Sequence, residues 1–237
     1  SFFLYHPTAV VGALHDEGLR AAARTFWETG YAKPPLSMFG TLAAMLVCGE
    51  GRIAWRVDNL VVALGAIWLL WRLLRRWMVP PLAAVFAAGL ALAPYSLQFG
   101  RLELAELYLW AATILYLLAL LRCDAFRARG WTLLLGVAFA LGMLCKLSFP
   151  LVLGPPTLWV LVAALRRDGR NGLLARGCNA LAAGAIGACL FVPFYAKNWK
   201  PIRGHFQNQF GWLAAEYTHG DPFTSASFFR YFHSLSD

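Results

Sequence analysis

The chain has 237 residues, of which 59% are hydrophobic and only 14% charged, with a formal net charge of +9. A soluble domain carries about 45–50% apolar and about 25% charged residues, so this composition excludes an ordinary water-soluble globule. The apolar residues come in long blocks of Leu, Ala, Val and Trp divided by short arginine clusters, the pattern of several bilayer spans.

The chain begins at Ser1 without a methionine or a signal-peptide pattern and ends at Asp237 in a polar, aromatic stretch. It reads as a fragment, with at least one helix expected before residue 1 and more beyond the end. Residues 16–29 carry a helical period, with Leu19, Ala22, Ala23, Phe26 and Trp27 on one face and Asp16, Arg20, Arg24 and Glu28 at four-residue steps on the other. Gly30 closes the pattern as a C-cap, and such a helix is expected in the membrane surface with its charged stripe toward water. The apolar run over residues 36–47 is too short to span and suits a re-entrant or interfacial helix.

Spans follow at residues 57–78, 79–98, 103–121, 131–148, 151–165 and 178–196, each bounded by charges, prolines or glycines. Several fall short of the roughly 20 residues a perpendicular helix needs. Their outer ends are therefore expected to border a water-filled cavity.

Short connections rich in Lys and Arg stay in the cytoplasm. Three alternate connections carry Arg72, Arg75 and Arg76, then Arg122, Arg127 and Arg129, then Arg166, Arg167, Arg170 and Arg176, against only Asp124 and Asp168. They hold about +8 of the net +9 and leave nearly every carboxylate on the outer face. The basicity reports topology and gives no argument for nucleic acid. The expected fold class is all-α, a polytopic transmembrane helical bundle with outer-face interfacial helices. Its expected parts are a first outer loop over 1–56, a core of about six spans over 57–196, and the truncated start of a later outer loop over 197–237.

Cys48, Cys123, Cys145, Cys178 and Cys189 form no CxxC pair, and the five histidines form no HxxxH or HExxH arrangement. There is no sign of a disulfide framework or of a metal site. The cofactor stays unassigned, a divalent cation included.

The chemistry-bearing residues come in an order. His15, Asp16, Glu17 and Gly18 are followed by Tyr31, Ala32, Lys33, Pro34, Pro35 and Leu36, then by Gly51 with Arg56. Arg101, Leu102 and Glu103 open a span, Gly142 to Lys146 precede an apolar run ending in proline, and Pro193, Phe194, Tyr195 and Asn198 open a later outer stretch. Over about residues 10–200 this set resembles the glycosyltransferase C superfamily, in the branch of protein O-mannosyltransferases and the aminoarabinose transferases of lipid A. The resemblance implies transfer of a sugar, with inversion, from a polyprenyl-phosphate donor to a hydroxyl of a lipid, protein or glycan acceptor on the outer face. It also implies the lipid bilayer, the donor lipid and the acceptor as partners. Usage rich in Ala, Leu and Arg points to a bacterial inner membrane, where the carrier would be undecaprenyl phosphate.

Such a transfer needs a carboxylate to take the acceptor proton and a cation to stabilise the departing phosphate, which is too weak a base to require a general acid. The resemblance puts Asp16 in the role of base, while spacing alone equally allows it as N-cap of the surface helix, paired with Arg20. Glu17 then supports Asp16 or binds acceptor. Lys33 is the matching phosphate partner, and Lys146, at the outer end of a short apolar run, is a second cation that reaches the donor phosphate; the alternative for each is a snorkelling interfacial lysine. Glu103 stands where the family usually has aspartate, and an acid opening a span is costly enough to imply a function. Glu106 either shares that task or joins Glu103 in binding Arg101. Arg56 pairs with Asp58 or contacts phosphate. The rival class is a transporter or flippase of a lipid-linked substrate, against which stand the lack of an internal repeat and the placement of charges at span ends. A non-catalytic membrane scaffold would leave Asp16 and Lys33 unexplained.

Overall fold

The computed structural model describes residues 2–28, 35–49, 52–92, 106–168 and 173–217, and all elements among them are helical. The chain opens with α1 (Phe2–Glu17) and α2 (Leu19–Glu28). Gly18 separates them at φ +88, a left-handed conformation that costs glycine little and other residues more. The amphipathic helix expected over 16–29 is therefore the shorter α2, and Asp16 ends α1 instead of capping α2. Ala22 is buried while Arg20 and Arg24 are exposed, as the period requires. The apolar side of α2 faces α1 and α3 (Leu36–Cys48) across an open groove of about 430 Å³ lined by residues such as Leu14, Ala22, Phe26 and Leu42. Phe26 and Phe39 meet there at 4.7 Å between ring centroids.

The bundle continues with α4 (Arg52–Leu74), α5 (Pro80–Ala91), α6 (Glu106–Arg122), α7 (Arg129–Met143), α8 (Phe149–Asp168) and α9 (Leu173–Tyr217). Each overlaps one of the stretches expected as spans, with residues 93–105 outside the described part. Proline at N1 starts α5, where its missing N–H has no helical partner to lose. Neighbours in sequence pack side by side: α3 on α4, α4 on α5 and α6, and α7 on α6 and α8. Ala66, Leu70 and Leu73 of α4 interlock with Ala87 of α5 and with Ile114 and Leu118 of α6. A second small core joins Val11 of α1, Met45 of α3 and Ala54 of α4.

Between lipid-immersed helices, close packing and hydrogen bonds replace the hydrophobic drive. Gly136 of α7 lies against the Ala183 backbone of α9, an approach that a side chain at 136 would block. Tyr116, Phe139, Phe149 and Phe191 join α6, α7, α8 and α9 through ring contacts of 6.0–6.3 Å. Thr157 donates to the Leu153 carbonyl at 2.6 Å, so the 2.7 Å contact with Tyr116 is completed by the phenol's proton.

Outward, the bundle is apolar. Leu60, Val61, Leu64 and Trp68 of α4, Val85 and Phe86 of α5, and Leu158 and Trp159 of α8 are exposed, a surface that water would not tolerate over this extent. Ile53–Leu74 and Leu174–Gly204 are long and apolar enough to cross a membrane. The fold is a helical bundle of the membrane type. All five cysteines are free, and no metal-binding group of His, Cys, Asp or Glu occurs among the described residues.

The arginine connections gather at one end. Arg76 Nη1, just past α4, donates to the Leu121 carbonyl at the end of α6 at 2.6 Å. Asn179 of α9 donates to the Phe126 carbonyl in the α6–α7 turn at 2.9 Å. That turn runs through Asp124, Ala125 and Phe126 at positive φ. Arg72, Arg75 and Arg122 lie over the rings of Trp68, Trp71 and Trp131, holding their charge beside an aromatic face.

The chain divides into two compact units, residues 1–29 with 33–194 and residues 30–32 with 195–237. The first holds α1 to α8 and α9 as far as Phe194. In the second α9 continues to Tyr217, with non-helical torsions at Asn198 (φ −96, ψ 15) and Pro201 in the turn that follows. The later outer stretch expected from residue 197 thus starts as helix.

Candidate active site

The end of the bundle opposite the arginines holds a polar cluster built around Asp58. This residue lies nearly two turns into α4, between Arg56 and the long apolar run that follows Asn59, and is only 6% exposed. A carboxylate so placed needs partners to offset its lost hydration. Tyr108, in the first turn of α6, donates its phenol proton to Asp58 Oδ1. Thr41 Oγ1 of α3 lies 3.0 Å from Asp58 Oδ2 and 3.1 Å from the Ser37 carbonyl, and its single proton serves one of the two at a time.

The three helices meet this closely because position 40 is glycine. The Tyr108 hydroxyl and Asp58 Oδ1 occupy the space a Cβ on Gly40 would need. Pro35, fully buried, opens α3. The Leu36 N–H donates to the Leu144 carbonyl at 3.0 Å, tying the first residue of α3 to the α7–α8 turn. The Ser37 hydroxyl is buried in the same helical turn without a hydrogen-bond partner.

The α7–α8 turn is itself fixed by Lys146 N–H donating to the Gly142 carbonyl at 2.9 Å and Phe149 N–H donating to the Lys146 carbonyl at 3.1 Å. It sends Lys146 outward, exposed, and keeps Cys145 buried. Cys145 lies within electrostatic reach of both Tyr108 and Glu106. Glu106 is half-buried in the first turn of α6, where the helix dipole favours a negative charge.

Among the residues singled out from sequence, Glu106 and the turn carrying Lys146 meet at this cluster. Asp16 and Glu17 end α1 with exposed side chains, free to meet a solvent-borne group. Arg56 is exposed on α4 while Asp58 turns inward to Tyr108 and Thr41. Residues two apart on a helix face different ways, which accounts for that separation. Lys33, Arg101 and Glu103 lie outside the described residues.

Tyr108, Thr41 and Gly40 carry no sequence motif and were not among the expected site residues. The available signal was Asp58 itself, an acid within an apolar block that must find a partner on another helix. With its carboxylate enclosed and engaged by two hydroxyls, Asp58 is suited to holding helices together. An exposed carboxylate such as Asp16 is the better proton acceptor for a substrate arriving from water.

Residues 32–196 match the family described as dolichyl-phosphate-mannose-protein mannosyltransferase. No curated protein and no solved structure matches the chain.

Proposed function

The chain belongs to the dolichyl-phosphate-mannose-protein mannosyltransferase family, a membrane glycosyltransferase family of the glycosyltransferase C superfamily, and from that premise we propose that it moves a sugar from a polyprenyl-phosphate donor to an acceptor hydroxyl on the outer face of a bacterial inner membrane. The family places it among glycosyltransferases that draw on a lipid-linked sugar and an acceptor. The acceptor hydroxyl, of a lipid, protein or glycan, loses its proton to Asp16 as its oxygen attacks the anomeric carbon from the face opposite the phosphate. The carbon–oxygen bond to phosphate breaks with inversion, and Lys33 takes up the growing charge on the leaving phosphate. Glu17 orients the acceptor. Glu103 and Glu106, with Arg101, contribute to catalysis and substrate binding, and Arg56 and Lys146 add positive charge for the donor headgroup. Residues 1–56 serve as the first outer segment, 57–196 as the spanning core and 197–237 as the start of a later outer segment.

The observation that carries this reading is the two-ended build of the bundle within the matched residues. Arg76, Arg122 and the α6–α7 turn share one end, while Glu106, the Lys146 turn and the start of α3 share the other. Positive charge tends to stay on the cytoplasmic side, which supports an outer position for the second end. The test is incubation of the full-length protein in proteoliposomes with polyprenyl-phosphate mannose, following release of polyprenyl phosphate. Release that depends on an added acceptor supports the reading, and an intact donor after prolonged incubation with varied acceptors contradicts it.

A further inference from the structure

Tyr108 stands where four elements converge. It bonds Asp58 of α4, fills the space beside Gly40 of α3, begins α6, and lies within electrostatic reach of Cys145 in the α7–α8 turn. α3 is thereby held at two places: at Gly40 and Thr41 by the Tyr108–Asp58 pair, and one turn earlier by the Leu36 N–H bond to Leu144. Leu144 is two residues before Lys146, whose side chain is exposed. The cation thus sits two residues from the point where α3, itself in contact with Asp58 and Tyr108, is tied to the α7–α8 turn.

We infer that Asp58 and Tyr108 are positioning residues for donor binding: through α3 and the Leu36–Leu144 bond they set the α7–α8 turn so that Lys146 meets the phosphate of the donor. The inference rests on the transfer reading above. The pair touches no reacting atom in this account. Its chemistry is that of a lock, a phenol proton shared with an enclosed carboxylate and strengthened by the low-dielectric surroundings. An interaction made equally in ground and transition states changes donor affinity and leaves the chemical step alone.

The experiment uses the full chain in lipid nanodiscs with polyprenyl-phosphate mannose as probe. Tyr108→Phe keeps the ring and removes the one hydroxyl. It is expected to weaken donor affinity about tenfold while the single-turnover rate at saturating donor stays within about threefold of wild type. In a Lys146→Ala background the same change should cost almost nothing further, because the cation it positions is gone. Thr41→Ser, which keeps a hydroxyl, should bind donor as wild type does. Amide exchange at Leu36 is expected to accelerate in both Tyr108→Phe and Asp58→Asn, with the Ile114–Leu118 stretch of α6 unchanged.

Additive losses in the double variant, or a lower rate at unchanged affinity, overturn the positioning role. Unchanged Leu36 exchange in both variants overturns the lock. Accelerated exchange in both variants, with a wild-type protein that binds no polyprenyl-phosphate mannose, would keep the lock and refute the transfer reading, so the two failures are distinct.

Discussion

Tyr108 donates its phenol proton to the carboxylate of Asp58 across fifty residues of sequence, joining the starts of α6 and α4 with Gly40 of α3 pressed against the phenol oxygen and Asp58 Oδ1. Helices that share lipid as solvent gain little from apolar contact alone, so a buried polar pair is a strong determinant of how these three seat.

Gly40 gives the first prediction. Gly40→Ala places a methyl where the Tyr108 hydroxyl and Asp58 Oδ1 now stand, and overpacking of this kind costs about 1–3 kcal/mol. Thermal unfolding in nanodiscs should show Gly40→Ala less stable than wild type, and Tyr108→Phe should recover part of the loss by vacating space. If the two substitutions lower stability additively, the contact is not the cause.

Orientation gives the second. With the exposed Cys48, Cys178 and Cys189 replaced, a cysteine at the exposed His15 should react with an impermeant maleimide added to intact cells. One at the exposed Gly130, beside the arginine-bearing α6–α7 turn, should react only after lysis. Labelling of Gly130→Cys in intact cells would reverse the orientation and remove Asp16 from the donor's side.

Glu103 and Glu106 give the third. Glu103→Gln is expected to fold and lose most activity, with Glu103→Asp keeping some, since shortening by one methylene retains the charge. Glu106→Gln should show the smaller loss, because Glu106 is half-buried in the first turn of α6, whose dipole already stabilises its charge. A Glu103→Gln enzyme turning over at the wild-type rate would reduce Glu103 to a structural partner of Arg101.

The apolar helices were legible because each is a block of apolar residues closed by arginine, proline or glycine, as at Arg72 to Arg76 before Pro80. α1 was not, since Pro7, His6 and His15 interrupt its apolar pattern and nothing marks Phe2–Glu17 as a helix except its packing on α2 and α3. The boundary at Gly18 turned on a backbone torsion, which a periodic pattern does not carry. The Asp58 cluster escaped for a different reason. Its members come from three helices with no shared spacing, and the neighbouring Arg56 offered a partner that the helix turns away. Family order pointed to Asp16 and Lys33, of which Lys33 lies outside the described residues, whereas packing points to Asp58 and Tyr108.

The most direct test of the central claim is the single-turnover rate of Asp16→Asn measured beside its donor affinity, using polyprenyl-phosphate mannose and full-length protein of confirmed fold. A missing base penalises the transition state and spares the ground state, so the rate should fall on the order of 10²–10⁴ with donor affinity nearly unchanged. Lys33→Ala should instead weaken donor binding as well as rate, and Lys33→Arg should recover only part, since a planar fork does not replace a compact ammonium. Asp16→Asn abolishing donor binding while Lys33→Ala leaves it intact would contradict both assignments and the mechanism built on them.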